Sequence, residues 1–431
     1  MNYRKGLLTA LLAPVISFGG AVATVHAAGY AVFTHGASAL GQGNAVTAHA
    51  SDPSTIFYNP ALMNRLDGTQ FQIGTTAIFS SREYESSLPG GAPASNDSTH
   101  FPSTFYATHK LNDKVSIGLG VFNPFGLGTE WDETWDGRYL ATKSELTTFN
   151  INPNISYRVL PRLTVAAGID VVLLDASLER KVLSDAFIHP QTLLPLLPSG
   201  FDINQKFKGD GKGIGFNIAV AYDVCDHLSL GASYRSEVKI DVSGNASFSN
   251  ATLGAGVAAF DSAGSTDLTL PPQFTAAVAF KGIDKLVLEA GVRWEGWSKF
   301  RDLAIDLDNG QRGVTPRNWS DSWGLNAGGR YQVDETVALL AGYVYGDSPV
   351  PDSTFDPSIP DAKTHVFCAG TDLNFHPFTV AASYGYQLYE NRTKSNAVDI
   401  DPPLLRTATS SANGKYKTDA HLVALSLGYK F

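Results

Sequence analysis

His421-Leu422-Val423-Ala424-Leu425-Ser426-Leu427-Gly428-Tyr429-Lys430-Phe431 ends the chain, and its alternation decides the fold. In an extended strand, successive side chains face opposite sides. Leu425, Leu427, Tyr429 and Phe431 therefore share one face. Ser426, Gly428 and Lys430 share the other. A strand with one large apolar face and one small or polar face stands between two different environments. The pattern recurs upstream, where Leu286, Leu288, Ala290 and Val292 alternate with Glu289, Gly291 and Arg293.

Working outward from this strand, similar segments fill the chain from about residue 70. The joins between them alternate in length. Asn112-Asp113, Leu160-Pro161, Cys225-Asp226, Asp334-Glu335 and 374–376 read as tight turns. Long polar or small-residue stretches separate the hairpins they make, as at 81–101 and 246–270. About fourteen strands result, many longer than the 5–6 residues usual in soluble sheets. They reach the roughly 9–11 residues that cross a bilayer. Long loops at one end and hairpin turns at the other are what a transmembrane barrel needs.

The N-terminus and the composition agree. Arg4-Lys5, an apolar run from Leu7 and the small-x-small site Val25-His26-Ala27 read as a secretory signal peptide over 1–27. Pro14, Ser17 and the glycines argue against a membrane anchor. Removing it leaves 30 of the 32 Lys and Arg against 41 Asp and Glu, so nucleic acid is not an expected partner. Charged residues are 17%, against about 25% in soluble domains. No later stretch is long and apolar enough for a spanning helix. An aromatic C-terminus after such alternation resembles the terminal signature of Gram-negative outer-membrane barrels. The fold class is all-β: a transmembrane antiparallel β-barrel of about 14 strands over 70–431, closed because lipid offers no partner to an open edge. Trp294, Trp297, Trp319 and Trp323 are expected in an aromatic girdle near the outer strand ends. Cys225 and Cys368, far apart in sequence, are expected unpaired, packing as small apolar groups.

Residues 28–69 differ. This stretch is rich in Gly, Ala and Ser, has no strand or long-helix periodicity, and holds Ser54-Thr55-Ile56-Phe57-Tyr58-Asn59-Pro60-Ala61-Leu62. A compact non-β segment ahead of a barrel reads as a small N-terminal hatch, a plug inside the lumen.

Several segments resemble the FadL family of outer-membrane long-chain fatty-acid transporters. They are Ala28-Gly29-Tyr30, Asn59-Pro60-Ala61-Leu62, Tyr234-Arg235-Ser236-Glu237-Val238-Lys239-Ile240-Asp241, Gly296-Trp297-Ser298-Lys299-Phe300 and Asp347-Ser348-Pro349-Val350-Pro351 with Ile359-Pro360-Asp361. They run in order through the mature chain. The resemblance implies a monomeric fourteen-stranded barrel with a periplasmic hatch, in a membrane of lipid and lipopolysaccharide. A hydrophobic ligand would meet a groove among the extracellular loops, then a deeper pocket, and leave sideways through a kinked strand. No cofactor or metal is expected.

Against that resemblance, three places carry the expected site. Asn123-Pro124-Phe125-Gly126 interrupts a strand: Pro124 has no backbone donor and Gly126 permits a bend. The residues alone also fit a strand ending at Phe122; the resemblance selects a kink and lateral opening. Asn59-Pro60-Ala61 reads as a rigid turn, Pro60 fixing φ and Asn59 bonding nearby backbone, and the resemblance sets it against the kinked wall as part of the gate. Arg180 matches a family arginine near the ligand's carboxylate, for which a guanidinium fork is suited. A family lysine falls at or near Ser320, with Arg317 as a nearby substitute. Tyr30 and the apolar connection 186–198, with Phe187, Leu193, Leu194 and Leu197, complete the expected ligand-binding set, the connection serving as entry groove and cap.

Other motifs are weaker. Gly346-Asp347-Ser348 with His365 looks like an esterase motif but lacks the strand-turn-helix context. Residues 209–215 have the glycines of a phosphate loop without its Lys-Ser/Thr and helix. Asp132, Glu133 and Asp136 read as solvated loop carboxylates. The function expected is passage of hydrophobic molecules, long-chain fatty acids first. Monoaromatic hydrocarbons, or a non-transporting surface barrel such as an adhesin or lipase, are the alternatives.

Overall fold

The computed structural model describes residues 29–189, 192, 194–398 and 412–431. The expected signal peptide and Leu193 lie outside them. Among the described residues fourteen antiparallel strands close into a barrel. They are β1 (Thr69–Ser86), β2 (Ala94–His100 and Ser103–Lys110), β3 (Val115–Phe122 and Gly126–Glu130), β4 (Lys143–Leu160), β5 (Leu163–Leu183), β6 (Asp202–Cys225) and β7 (Leu228–Arg235 and Val238–Ser249). Then come β8 (Ser262–Leu270 and Gln273–Ile283), β9 (Leu286–Glu295 and Asp302–Leu307), β10 (Arg312–Pro316 and Ser322–Gln332), β11 (Val337–Gly346), β12 (Thr364–Phe375), β13 (Phe378–Tyr389 and Arg392–Lys394) and β14 (Gly414–Lys430). β14 pairs with β1 from Gln70↔Lys430 to Ser86↔Gly414, so the terminal strand shuts the cylinder.

Alternation sorts the two faces. Ile73, Ile155, Leu173, Ile218, Leu288, Leu339, Leu425 and Leu427 stand exposed on the outer face, where lipid covers them. Their neighbours face a lumen that is polar but hydrogen-bonded. Asn150, Asn152 and Asn154 of β4 donate to Asp170 of β5, Asn217 of β6 and each other at 2.5–2.8 Å. β6 is 24 residues long, well beyond the bilayer, so its outer end carries the loop structure.

The tryptophans correct one expectation. Trp323 is exposed, but Trp297 and Trp319 are buried inside rather than in a girdle. The straight part of β9 stops at Glu295, and a 3₁₀ turn, Trp297–Lys299, rolls Trp297 inward. Exposed aromatics instead mark the tight-turn end, among them Phe71, Phe375, Phe378 and Phe431. Both cysteines are free; Cys368 is buried, but Cys225 is exposed and packs in no core.

The segment before β1 lies in the lumen. It carries α1 (Ala37–Gly41), α2 (Thr55–Tyr58) and a 3₁₀ helix, Pro60–Arg65. Asn59 is extended, as a residue before proline prefers, and its side chain accepts from Ala61 N–H at 3.1 Å, capping the 3₁₀ helix. The wall is shaped to receive this segment. A Cβ on Gly328 or Gly342 would sit 1.9 or 2.2 Å from Gln42 backbone atoms, so only glycine lets them meet.

Candidate functional site

Two adjoining cavities of about 110 and 60 Å³ lie among the outer ends of β4 to β10. Leu178, Phe207, Leu303, Ile305 and Leu307 give them apolar walls, and Arg180, Arg312 and Arg317 give positive charge. The arginines are not equivalent. Arg312 lies 3.4 Å from Asp306, both exposed. Arg317 is buried and ion-paired with Asp356, and it donates to Ser358 Oγ at 3.0 Å. Its charge is therefore already answered, and it is not a spare substitute for a lysine at 320. Arg180 donates from Nε to the neutral Gln205 Oε1 at 2.6 Å, and no carboxylate pairs with it among the described residues.

Tyr30 forms the floor of the smaller cavity. Its ring sits in an aromatic cage with Trp297 at 4.7 Å, Phe125 and Trp319 at 5.9 Å and Phe300 at 6.1 Å. The Tyr30 hydroxyl and the Trp319 indole N–H are both buried without a hydrogen-bond partner among the described residues. Such orphan groups carry an energetic cost, so the cage is not at its optimum. Directly below, Tyr30 and Val32 zip onto the broken strand. Val32 N–H donates to Pro124 O and Gly126 N–H to Tyr30 O, both at 2.9 Å. The start of the lumenal segment thus supplies the ladder bonds that β3 lacks at its proline.

β3 is interrupted between Phe122 and Gly126. Pairing of β2 with β3 runs from Lys110↔Ser116 to Phe105↔Val121 and stops. Among the described residues no ladder joins Ala94–His100 to Gly126–Glu130, although each keeps its other neighbour. Pro124 cannot donate, and the ladder to β2 ends at Val121. Asn123 spans the gap, accepting from Ser103 N–H at 3.2 Å and donating to Thr148 O at 2.6 Å. A cavity of about 440 Å³ runs from Tyr30 and Leu40 to Phe101 and Phe149. These two phenylalanines are 62% and 46% exposed, so the cavity's lining extends from the lumenal segment to the outer face. Asn123, Pro124, Phe125 and Gly126 therefore form a kink rather than a strand end.

The remaining expected residues are placed elsewhere. Asn59 donates from Nδ2 to Thr47 O at 2.7 Å and to Val220 O of β6 at 3.0 Å. Ala61 and Leu62 pack on Ala166, Ala219 and Ala221. The Asn59-Pro60-Ala61 turn does meet the wall, but at β5 and β6 and not at the kink; Ala31, bridged to Phe125, is what meets the kink. Phe187 is buried against Phe248 and Phe260, in a cap of loops. Leu194 is exposed, and Leu197 packs at the edge of that cap. None of the three lines the cavities above. Ser348 Oγ donates to Asp361 at 2.6 Å, while His365 Nδ1 meets the Tyr343 hydroxyl, so no serine–histidine pair forms.

Sequence reasoning missed three groups. Glu289 accepts from Thr47, Ala48 and His49 N–H and meets His49 Nδ1, at 2.5–3.1 Å. Asp361 is buried in a loop beside Gly29, and burial pushes its carboxyl up to about 7. Arg82 lines the wall cavity. The available signal was a charge on the lumenal parity of a strand, at 82 and 289; Asp361 stood in a segment that carries the resemblance, with no role attached to it.

Residues 20–431 match the family described as outer membrane protein transport protein (OMPP1/FadL/TodX). The chain is 26% identical over 462 residues to outer membrane protein P1 of Haemophilus influenzae, covering 99% of this chain and 98% of that one. It is 27% identical over 385 residues to the long-chain fatty acid transport protein of Escherichia coli, covering 83% and 86%. Among solved structures it is similar to a Pseudomonas aeruginosa FadL homologue, with TM-score 0.81 and 21% identity over 94% of this chain and all of that one. It is also similar to the Pseudomonas putida toluene transporter TodX, with TM-score 0.71 and 18% identity over 94% and 100%. At these identities the two structures speak to the fold alone. The chain belongs to the OMPP1/FadL/TodX family and is, accordingly, a transport channel of the Gram-negative outer membrane for hydrophobic compounds rather than an enzyme.

Proposed function

We propose that this barrel takes up long-chain fatty acids. The observation that carries the reading is Arg180, a guanidinium with no carboxylate partner among the described residues, beside the apolar walls that Leu178, Phe207, Leu303 and Ile305 give the cavity. A hydrocarbon such as toluene gains nothing from it, whereas a carboxylate gains a charge-assisted, fork-shaped partner. The name of the Escherichia coli relative supports the same substrate class. In this reading the ligand's tail enters the smaller cavity and displaces Tyr30. Tyr30 O and Val32 N–H then leave Gly126 and Pro124, and the kink loses the segment that covers it. The ligand passes through the wall between β2 and β3 without crossing the lumenal plug.

Uptake of labelled oleate and labelled toluene is measured in cells whose own uptake barrel is deleted, with wild type and with Arg180→Gln. Loss of one charged hydrogen bond predicts roughly tenfold weaker oleate uptake at limiting ligand. Toluene uptake without oleate uptake would replace the substrate with monoaromatic hydrocarbons. Uptake of neither by a folded protein would sink the transport of both.

A further inference from the structure

The wall cavity contains a second cation. Arg82 lies on the lumenal parity of β1, between Ser80 and Tyr84. Its Nη1 donates to Ser80 Oγ at 3.2 Å, Asn96 Oδ1 at 3.1 Å and Ser98 Oγ at 3.2 Å. All three acceptors are neutral, and no salt bridge answers the charge among the described residues. The nearby carboxylates are committed elsewhere. Glu83 and Glu85 have the opposite strand parity and lie 3.6 and 3.0 Å from Lys417. Glu145, at the exposed rim, lies 3.4 Å from Lys143. A partly buried guanidinium cradled by hydroxyls and an amide costs desolvation that these neutral partners only partly return. An ionisable group held inside a membrane protein at such cost usually serves a ligand or ion.

The setting says which ligand. Arg82 shares its cavity with Phe101, Phe125 and Leu422, and the lining extends to the outer face at Phe149; the cavity's other guanidinium, Arg293, lies 3.7 Å from Glu295 and over the Phe33 ring, and its carboxylate, Glu145, is the one beside Lys143. Cavities of a few hundred cubic ångströms with apolar walls and a few placed polar groups bind small amphiphiles. The height also fits. Arg82 is 13 residues along β1 from Thr69, and at about 3.3 Å per residue and a tilt of ~45° that is roughly 30 Å, one hydrocarbon thickness. A head group at Arg82 therefore sits at the outer-leaflet surface, with the broken wall below it facing lipid tails.

We propose that Arg82 is an anion-binding subsite of the wall cavity, which receives the carboxylate of the ligand after it leaves Arg180 and holds it at the outer-leaflet surface while the tail passes between β2 and β3. This rests on the fatty-acid reading above and adds a second station to it. The site accepts a single-chain anionic amphiphile and gives no advantage to a neutral one of the same length.

The test uses the full-length protein in cells without their own uptake barrel. Wild type, Arg82→Gln, Arg82→Lys and Arg180→Gln are compared for uptake of labelled oleate and labelled oleyl alcohol. Heat-modifiable gel mobility checks that each barrel is folded, and oleate binding is measured on purified protein. Arg82→Gln is expected to lower oleate uptake about fivefold or more, with oleyl alcohol uptake and oleate affinity at Arg180 within about twofold of wild type, and Arg82→Lys to recover most of the loss. Normal oleate uptake by Arg82→Gln, with Arg180→Gln impaired, overturns the subsite and leaves the fatty-acid reading standing. Equal loss of oleate and oleyl alcohol in a folded Arg82→Gln barrel overturns it as well, by making Arg82 structural. Toluene uptake without oleate uptake by wild type removes both readings together.

Discussion

At the scale of single residues, burial sets what each charge does. Arg317 has Asp356 and is structural; Arg180, on the same cavity, has Gln205 and no carboxylate among the described residues, and is available. Asp361 shows the same logic for an acid. Removal from water raises its carboxyl to about 7, although Ser348 Oγ and the Gly29 backbone favour the charged form. A raised pKa means that the docked state holds the proton more tightly than the released one. Packing of the loop that buries this carboxyl, against which Gly29 and Tyr30 lie, is therefore strongest below the carboxyl's ordinary range. It weakens progressively as pH rises toward 7 and levels off above it. Amide exchange at Val32 and Gly126, corrected for intrinsic rate, should show more opening at pH 8 than at pH 6. Asp361→Asn should remove the difference. Protection independent of pH in the wild type would sink this role for Asp361.

At the scale of elements, β3 and the segment that covers it act as a pair. A proline in a strand ordinarily leaves an unpaired position, and here Thr148, Asn123 and residues 30–32 meet the freed groups. The arrangement is stable without being permanent, because the two bonds from residues 30 and 32 come from outside the sheet. Pro124→Val with Gly126→Val restores a donor and β propensity, and is expected to let β3 pair further along β2. Oleate should still bind near Arg180, while uptake falls about tenfold because the exit step becomes limiting. Wild-type uptake by a folded double variant would show that the ligand leaves by another route. The interruption was legible in sequence because proline and glycine act locally, but the resemblance was needed to choose a kink over a strand end at Phe122. What covers it was not legible, because Ala31 and Phe125 are far apart in the chain and neither residue type announces the other.

At the scale of the whole molecule, the lumen is filled by a segment bolted to the strands around it. Glu289 binds it through the N–H groups of 47–49, Ser426 and Ser383 hold Ala37, and Asp223 pairs with Arg65 at 2.8 Å. We propose residues 28–69 as one hatch on this basis. Glu289→Ala would strand buried donors at roughly 1–3 kcal/mol each. In planar bilayers the wild type should carry little ion current, and Glu289→Ala should show open-channel events while remaining a folded barrel. A silent Glu289→Ala barrel would mean that the hatch is held without this carboxylate.

The alternation of His421–Phe431 and its counterparts determined the barrel by itself. Strand period and lipid together leave one closed solution, and both act over a few residues. Likewise Pro124 alone was enough to break a strand, whereas Arg180 was singled out by the family resemblance and not by its position on the strand. Tertiary structure decided the rest. It took Trp297 and Trp319 from a surface belt into a cage around Tyr30, because β9 ends two residues before Trp297 and period-two parity ends with it. It set Asn59 against β6 and Tyr30 beside β3, and among the described residues it answered Arg317 while leaving Arg180 and Arg82 without carboxylates. Those outcomes depend on which distant residue arrives within hydrogen-bond distance, and a hydrogen bond between residues 49 and 289 leaves no periodic trace in the sequence between them.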